Sequence, residues 1–501
     1  MDKTHHPSIE VRRLVGGSAL VLVTGGLGVL AAAPDAAASH PARSAGSSVT
    51  RSGSTSSVKP GAWTALGVTT QAGTPAVWQS SAGTTYLLWL LKPSGSNATY
   101  HFAKVTAGGT ASAQQDAFSG AHWTGLSGTP ALVGAGSAPE VIFNGSTGAG
   151  LYSHGCVYGA LGPTAPWTPQ PWVLSFDCVN PNAAAATDRT GTVAAAWPGG
   201  WTTGHGVNYR IGTAAYPAPE DSHVAVGTGV GVAKTGVAAD AAGNDHFWVG
   251  WTETDNARAA KNGYYAEDVT AGGSPRKMPG TGTMSIAPHL GPFAELAMTA
   301  RRQASGVYLA GCTNTQTCTL ELWRAGSTAV HKVPSSKNAG DVAISAGPQG
   351  RIWVAWYDAS TNKVKVTRTN RGASRFGRVL TFSTPCFEGG LLGLTSGTSS
   401  RVVIGMQCLN KKSKTEEYVT RTTAALTLGA SAHKVSKGTT ITFTVTDAGD
   451  AVAGAKVSFE GHTATTNSVG RAKLKATAKG TATVKATKSG YVAATTRIKV
   501  T

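Results

Sequence analysis

The 501-residue sequence has little charge, 14% of its residues, and few of the motifs that mark chemistry. It contains no GxSxG elbow, HExxH, Walker loop or EF-hand loop, which removes the hydrolases, zinc peptidases, nucleotide-binding folds and calcium sensors that carry them. CxxC is absent and the thirteen histidines show no ligand spacing, so no metal or other cofactor is expected. No cysteine precedes Cys156, which excludes a lipid anchor on a mature N-terminal cysteine. No arginine lies between Arg51 and Arg189. Beyond the first 33 residues no stretch is long and apolar enough to cross a bilayer. Glycine lacks a three-residue period, so the chain is not collagen-like.

What is present points to strands and turns. Gly (64), Pro (23) and Trp (13, against 11 Phe) stand among abundant Thr, Ser and Val. Hydrophobic residues make up 41%, enough for packed cores, and the length predicts several domains. The net charge of +18 is regional: residues 1–350 carry +2 and residues 351–501 carry +16.

Arg12 and Arg13 precede an uncharged segment from Leu14 to Ala33, followed by Ala36-Ala37-Ala38. This is the layout of a cleaved export signal, here residues 1–38, with a flexible Ser/Gly/Ala linker over 39–60. Export implies oxidising surroundings and disulfides. Six cysteines allow fifteen connectivities; spacing favours the sequential set, Cys156–Cys178, Cys312–Cys318 and Cys386–Cys408.

An internal repeat organises the middle of the chain. DVAISAGPQGRIWVAWYD (341–358) is a short apolar strand, a Gly-Pro turn and a second apolar strand with two tryptophans. VAADAAGNDHFWVGWT (237–252), AAAATDRTGTVAAAW (183–197), PAVWQSSAGTTYLLW (75–89) and PALVGAGSAPEVIF (130–143) repeat it. Weaker copies end at Gly311 and Met406. The equivalent positions are 89, 143, 197, 251, 311, 356 and 406, in steps of 45 to 60 residues. Seven units with room for four short strands each predict a seven-bladed β-propeller over residues 61–428, in which Trp89, Trp197, Trp251 and Trp356 fill the spaces between blades.

Gly347-Pro-Gln-Gly350 followed by Ile352-Trp-Val-Ala-Trp356 resembles the repeats of the sialidase-like superfamily of secreted bacterial propellers. The resemblance covers most of the chain and lies in the repeat. The Asp-box Ser-x-Asp-x-Gly-x-Thr-Trp does not occur, and the first two units hold none of the carboxylate-gripping arginines that sialidase chemistry needs.

From Leu426 the texture changes to alternating Thr, Val and Lys, in ITFTVTDAG (441–449), GRAKLKATAKG (470–480) and TATVKATKSG (481–490). Residues 429–501 read as a small Ig-like β-sandwich, similar to carboxypeptidase-regulatory and invasin-type modules, which serve as spacers or attachment units. Eleven basic and three acidic side chains give it a net +8.

The expected class is therefore all-β. Loops between second and third strands are the expected ligand site, with Trp201 and His205 on one and Glu253, Asp255 and Arg258 on the next. Asp240-Ala-Ala-Gly-Asn-Asp245 and Asp188-Arg-Thr-Gly191 read as polar turns. The expected function is extracellular binding or adhesion to carbohydrate or cell-envelope material, the basic end meeting anionic envelope. A glycan-active hydrolase or lyase is the alternative. No RNP-type strand occurs, and nucleic acid is not an expected partner.

Overall fold

The computed structural model describes residues 55–69, 73–91, 99–117, 124–134, 136–146, 155–160, 173–175, 184–198, 206–212, 222–226, 230–240, 246–255, 259–281, 296–312, 318–397 and 400–501. The protein is all-β: apart from two single-turn 3-10 segments, every described element is a strand. The leader and linker, residues 1–54, lie outside the described residues. No described helix is long and apolar enough to cross a membrane.

The repeat segments form antiparallel hairpins. In Ala339–Ala346 and Ile352–Asp358, for example, Val342 pairs with Trp356 and Ser345 with Trp353. The intervening turn places Gln349 and Gly350 at positive φ (58° and 73°). Gly350 has a second reason to be glycine: a Cβ there would lie 2.6 Å from the Arg301 guanidinium.

Seven such hairpins open seven antiparallel sheets among the described residues; five continue outward in sequence order, while the first and seventh take an outer strand from the beginning of the described residues. The first strands are Ala76–Gln79, Thr124–Val133, Ala184–Thr187, Val230–Ala239, Ala297–Ala300, Ala339–Ala346 and Cys386–Thr395. Each lies beside the next, and the last lies beside the first, so the sheets form a closed circuit. The seam is hydrogen-bonded: Thr64–Val68, from the start of the described chain, is the fourth strand of the seventh sheet and pairs with Thr415–Thr423.

The repeated position explains how the sheets adhere. Trp89, Phe143, Trp197, Trp251, Trp356 and Met406 are all buried, at 1% exposure or less. Each shares an apolar cluster with the preceding sheet: Phe143 with Tyr100 and Phe102, Trp197 with Val133, Trp251 with Val207, Trp356 with Ala310 and Met406 with Val364. Trp89 does the same across the seam, with Val403 and Val419 of the seventh sheet. The repeat tryptophans are core residues. Gly311 is the exception that keeps the rule, because the ring of Tyr264 from the preceding sheet occupies the space its side chain would take. The Tyr264 hydroxyl accepts the Cys312 N–H at 3.0 Å.

Residues 427–500 form two further sheets. One joins Thr427–Ala430, Thr440–Asp447, Asp450–Ala451 and Arg471–Lys475; the other joins Lys434–Val435, Ala494–Val500, Gly480–Thr487, Lys456–Phe459 and His462–Thr465. They share one core that includes Ile441, Phe443, Val457, Phe459, Val484 and Ile498.

Two disulfides form as expected, Cys312–Cys318 and Cys386–Cys408. Cys178 lies outside the described residues, as does the side chain of Cys156.

Candidate functional site

Hairpin topology gives the circuit two mouths. Turns between first and second strands gather at one, and loops between second and third strands at the other. In the sequence the expected ligand residues fall at or between second and third strands. Trp201, His205 and Arg258 lie outside the described residues, as does the side chain of Asp255. Glu253 is not on a loop: it continues the strand Phe247–Asp255 and is 8% exposed. Its carboxylate accepts the indole N–H of Trp251 at 2.9 Å. Trp251 in turn stacks on Tyr265, with centroids 5.7 Å apart and planes at 14°. Burial and the Glu253 charge together push the Tyr265 hydroxyl up to about 12. Glu253 therefore serves the aromatic stack within its own sheet.

The first mouth holds a cavity of about 670 Å³, inside the range of small-molecule and glycan sites. The third, fourth and fifth sheets supply most of its wall. Ala185, Ala186, Val237, Ala238 and Met298 make an apolar floor. Asp188, Arg189, Asp240, Arg301, Arg302 and Gln303 make a charged rim.

The two rim carboxylates are held by turns. Asp188 accepts the Thr190 and Thr192 N–H groups at 2.8 and 2.9 Å. Asp240 accepts the Gly306 N–H at 3.1 Å. Asp188 caps its own turn, as the sequence suggested, whereas Asp240 reaches across to the turn of the fifth sheet; residues 241–245, the rest of the turn expected at Asp240, lie outside the described residues. Among the described residues no cluster of three or more His, Cys, Asp or Glu could hold a metal ion.

The arginines are placed differently. Arg301 is anchored to the sixth sheet, its Nε donating to the Gly350 carbonyl at 2.9 Å and its Nη2 to the Arg371 carbonyl. Arg302 reaches toward the seventh sheet and donates through Nη2 to the Ser396 carbonyl at 3.0 Å. Their acceptors are backbone carbonyls, and among the described residues neither guanidinium meets a carboxylate. Partial burial lowers the proton affinity of Arg302, because desolvation disfavours its charged form. All three nitrogens of Arg301 donate to carbonyls, whereas Arg302 is held through Nη2 alone, so Arg302 is the better placed of the two to meet a carboxylate or sulfate ester.

Sequence reasoning missed this pair. The signal was available: of the seven first-to-second-strand hairpins, only LAMTARRQASGVYLAG carries adjacent arginines in its turn.

No protein-family model matches the chain, and no curated protein matches it. Several solved structures show a distant likeness. One is the Hadza microbial sialidase Hz136, at 11% identity and a TM-score of 0.40, over 70% of this chain and 65% of that one. This chain thus spans just under two thirds of that sialidase. The polysaccharide lyase Uly1 is similar at 11% identity and a TM-score of 0.43, over 70% of this chain and 90% of that one. The Penicillium chrysogenum α-L-arabinanase, solved with arabinobiose, is similar at 10% identity and a TM-score of 0.40, over 73% of this chain and 98% of that one.

Proposed function

We propose that this is a secreted binding protein, a seven-bladed β-propeller over residues 61–428 with an Ig-like attachment module over 429–501, which captures an acidic glycan of the extracellular space or cell envelope. The observation that carries this reading is the arginine pair at the cavity. Arg301 and Arg302 stand over an apolar floor in about 670 Å³, with hydrogen bonds to carbonyls alone. A uronic acid or sulfated sugar would bring the missing anion to the guanidinium groups and its ring face to the alanine and methionine floor. Binding is favoured over hydrolysis or elimination because both rim carboxylates accept backbone N–H groups, Asp188 within its own turn and Asp240 from the Gly306 turn of the next sheet. The loops bearing Trp201, His205, Asp255 and Arg258 are proposed as a separate contact at the opposite mouth. Export follows from the leader-like residues 1–38 and fits the two disulfides.

The test is a binding panel on the full chain. Oligogalacturonides are expected to bind with an affinity that falls as salt rises, and neutral oligosaccharides of equal length are expected not to bind. Equal binding of both sets, or none of either, would overturn the proposal.

A further inference from the structure

The three acidic residues of residues 429–501 are all occupied, two of them by the ring of seven sheets. Asp447 pairs with Arg351 and Arg368, and Asp450 pairs with Arg351 and accepts the Arg371 N–H at 2.9 Å. Glu460 caps a turn by accepting the Thr477 and Ala478 N–H groups. The eleven basic residues behave in the opposite way. All are exposed, and among the described residues none has a carboxylate partner.

Period-two alternation then sorts the five-stranded sheet. Its inward side is the shared apolar core. Its outward side is Lys, Arg, Thr and Ser alone, with Lys434, Lys456, Lys485, Arg497 and Lys499 as the cations. Lys434 sits directly beside Lys499 in the register, and Arg497 is two positions along the same strand. Like charges placed opposite one another cost stability. A face shaped for folding or solubility alone would intersperse carboxylates.

We infer that this sheet face docks a linear phosphodiester polymer of a cell envelope. The inference deepens the reading of residues 429–501 as an attachment unit, and it does not depend on the cavity. Four of the five cations are lysines. A compact, flexible ammonium meets phosphate as a point charge and needs no fixed bidentate geometry, which suits a linear polymer whose charges are spaced along a flexible chain. The interleaved threonine hydroxyls add neutral donors to phosphate oxygens. The ring contacts lie at the Asp447–Asp450 hairpin and the Tyr491 region, so the sheet face stays open.

The experiment measures retention of the full chain on immobilised poly(glycerol phosphate) across a salt series. Wild type is expected to bind at low salt, with a steep loss as salt rises. K456Q/K485Q/K499Q is expected to lose at least about tenfold in affinity and to flatten the salt dependence by about two units of log–log slope. R471Q/K473Q/K475Q, on the other sheet, is expected to stay within about twofold of wild type, and both variants are expected to keep wild-type oligogalacturonide binding. Absence of wild-type binding at low salt would overturn the inference. So would equal losses in the two triple variants, which would mean that net charge and not this face is read.

Discussion

Arg368 of the sixth sheet and Asp447 of the C-terminal unit form an ion pair in which the two side chains are 3% and 1% exposed. The Arg368 guanidinium lies over the Trp353 ring at 5.0 Å and the Tyr491 ring at 5.8 Å, and Arg351 adds a second cation 3.4 Å from the same carboxylate. Asp447 and Asp450 together thus balance two buried arginines from the ring, and the positive charge of the last third of the chain is partly an internal matter.

Removing that aspartate should cost far more than the pair contributes on balance. Asp447→Ala leaves the buried Arg368 guanidinium without its carboxylate and Arg351 with Asp450 alone, and a loss of about 3–5 kcal/mol is expected in urea unfolding. Lys473→Ala, an exposed charge on the same unit, is expected to stay within about 0.5 kcal/mol. Equal effects would contradict the buried role of Asp447.

The adhesion between sheets makes a paired test at Gly311 and Tyr264. A Cβ at position 311 would meet the Tyr264 ring at 2.6 Å. Gly311→Ala is expected to destabilise by about 1–3 kcal/mol, and Tyr264→Ala by about 3–5 kcal/mol through the cavity it leaves. In the Tyr264→Ala background the change at 311 should become nearly neutral. Strict additivity in thermal unfolding would show that the two sites do not share that space.

Glu417 gives a pH dependence of definite sign. It is fully buried on the strand that pairs with Thr64–Val68 at the seam, and among the described residues neither of its oxygens has a hydrogen-bond partner. Burial pushes its carboxyl well above the ordinary value of 4.5. The unfolded chain therefore ionises first. The stability tied to the neutral carboxyl is complete below pH 4.5 and is lost as pH rises from there through the raised folded value. Glu417→Gln is expected to be more stable than wild type at pH 8, with the gap closing toward pH 4. A gap that widens on acidification would contradict this.

The Cys386–Cys408 bridge closes a loop of 22 residues at the seventh sheet. Replacing both cysteines with serine is expected to cost about 3 kcal/mol, read by urea unfolding under non-reducing conditions.

Much of the architecture was legible because it is local. Apolar strand, Gly-containing turn and Trp-bearing strand are adjacent in sequence, so the hairpins and the buried role of Trp197, Trp251 and Trp356 follow from turn chemistry and alternation. The candidate site was much less legible. Arg302 and Ser396 are brought together only by closure of the circuit, and nothing local to either residue announces it. Glu253 looked like a loop residue because strand ends carry little signal; two more ladder pairs, Glu253 with Gly263 and with Val232, draw it into the sheet. The cationic surplus was visible as a count, yet its division into a buried ring contact and an open sheet face needed the partners of Asp447 and Asp450.

The proposed glycan site rests most directly on Arg302. Isothermal titration of an oligogalacturonide into wild type and Arg302→Gln, at one pH and low salt, is the decisive measurement, with far-ultraviolet circular dichroism to establish that both are folded. A loss of at least about tenfold in affinity, with unchanged unfolding, is the expected result, since a hydrogen bond to a charged group contributes about 1.5–3 kcal/mol. Wild-type affinity in a folded Arg302→Gln protein would contradict the assignment of the cavity as the binding site.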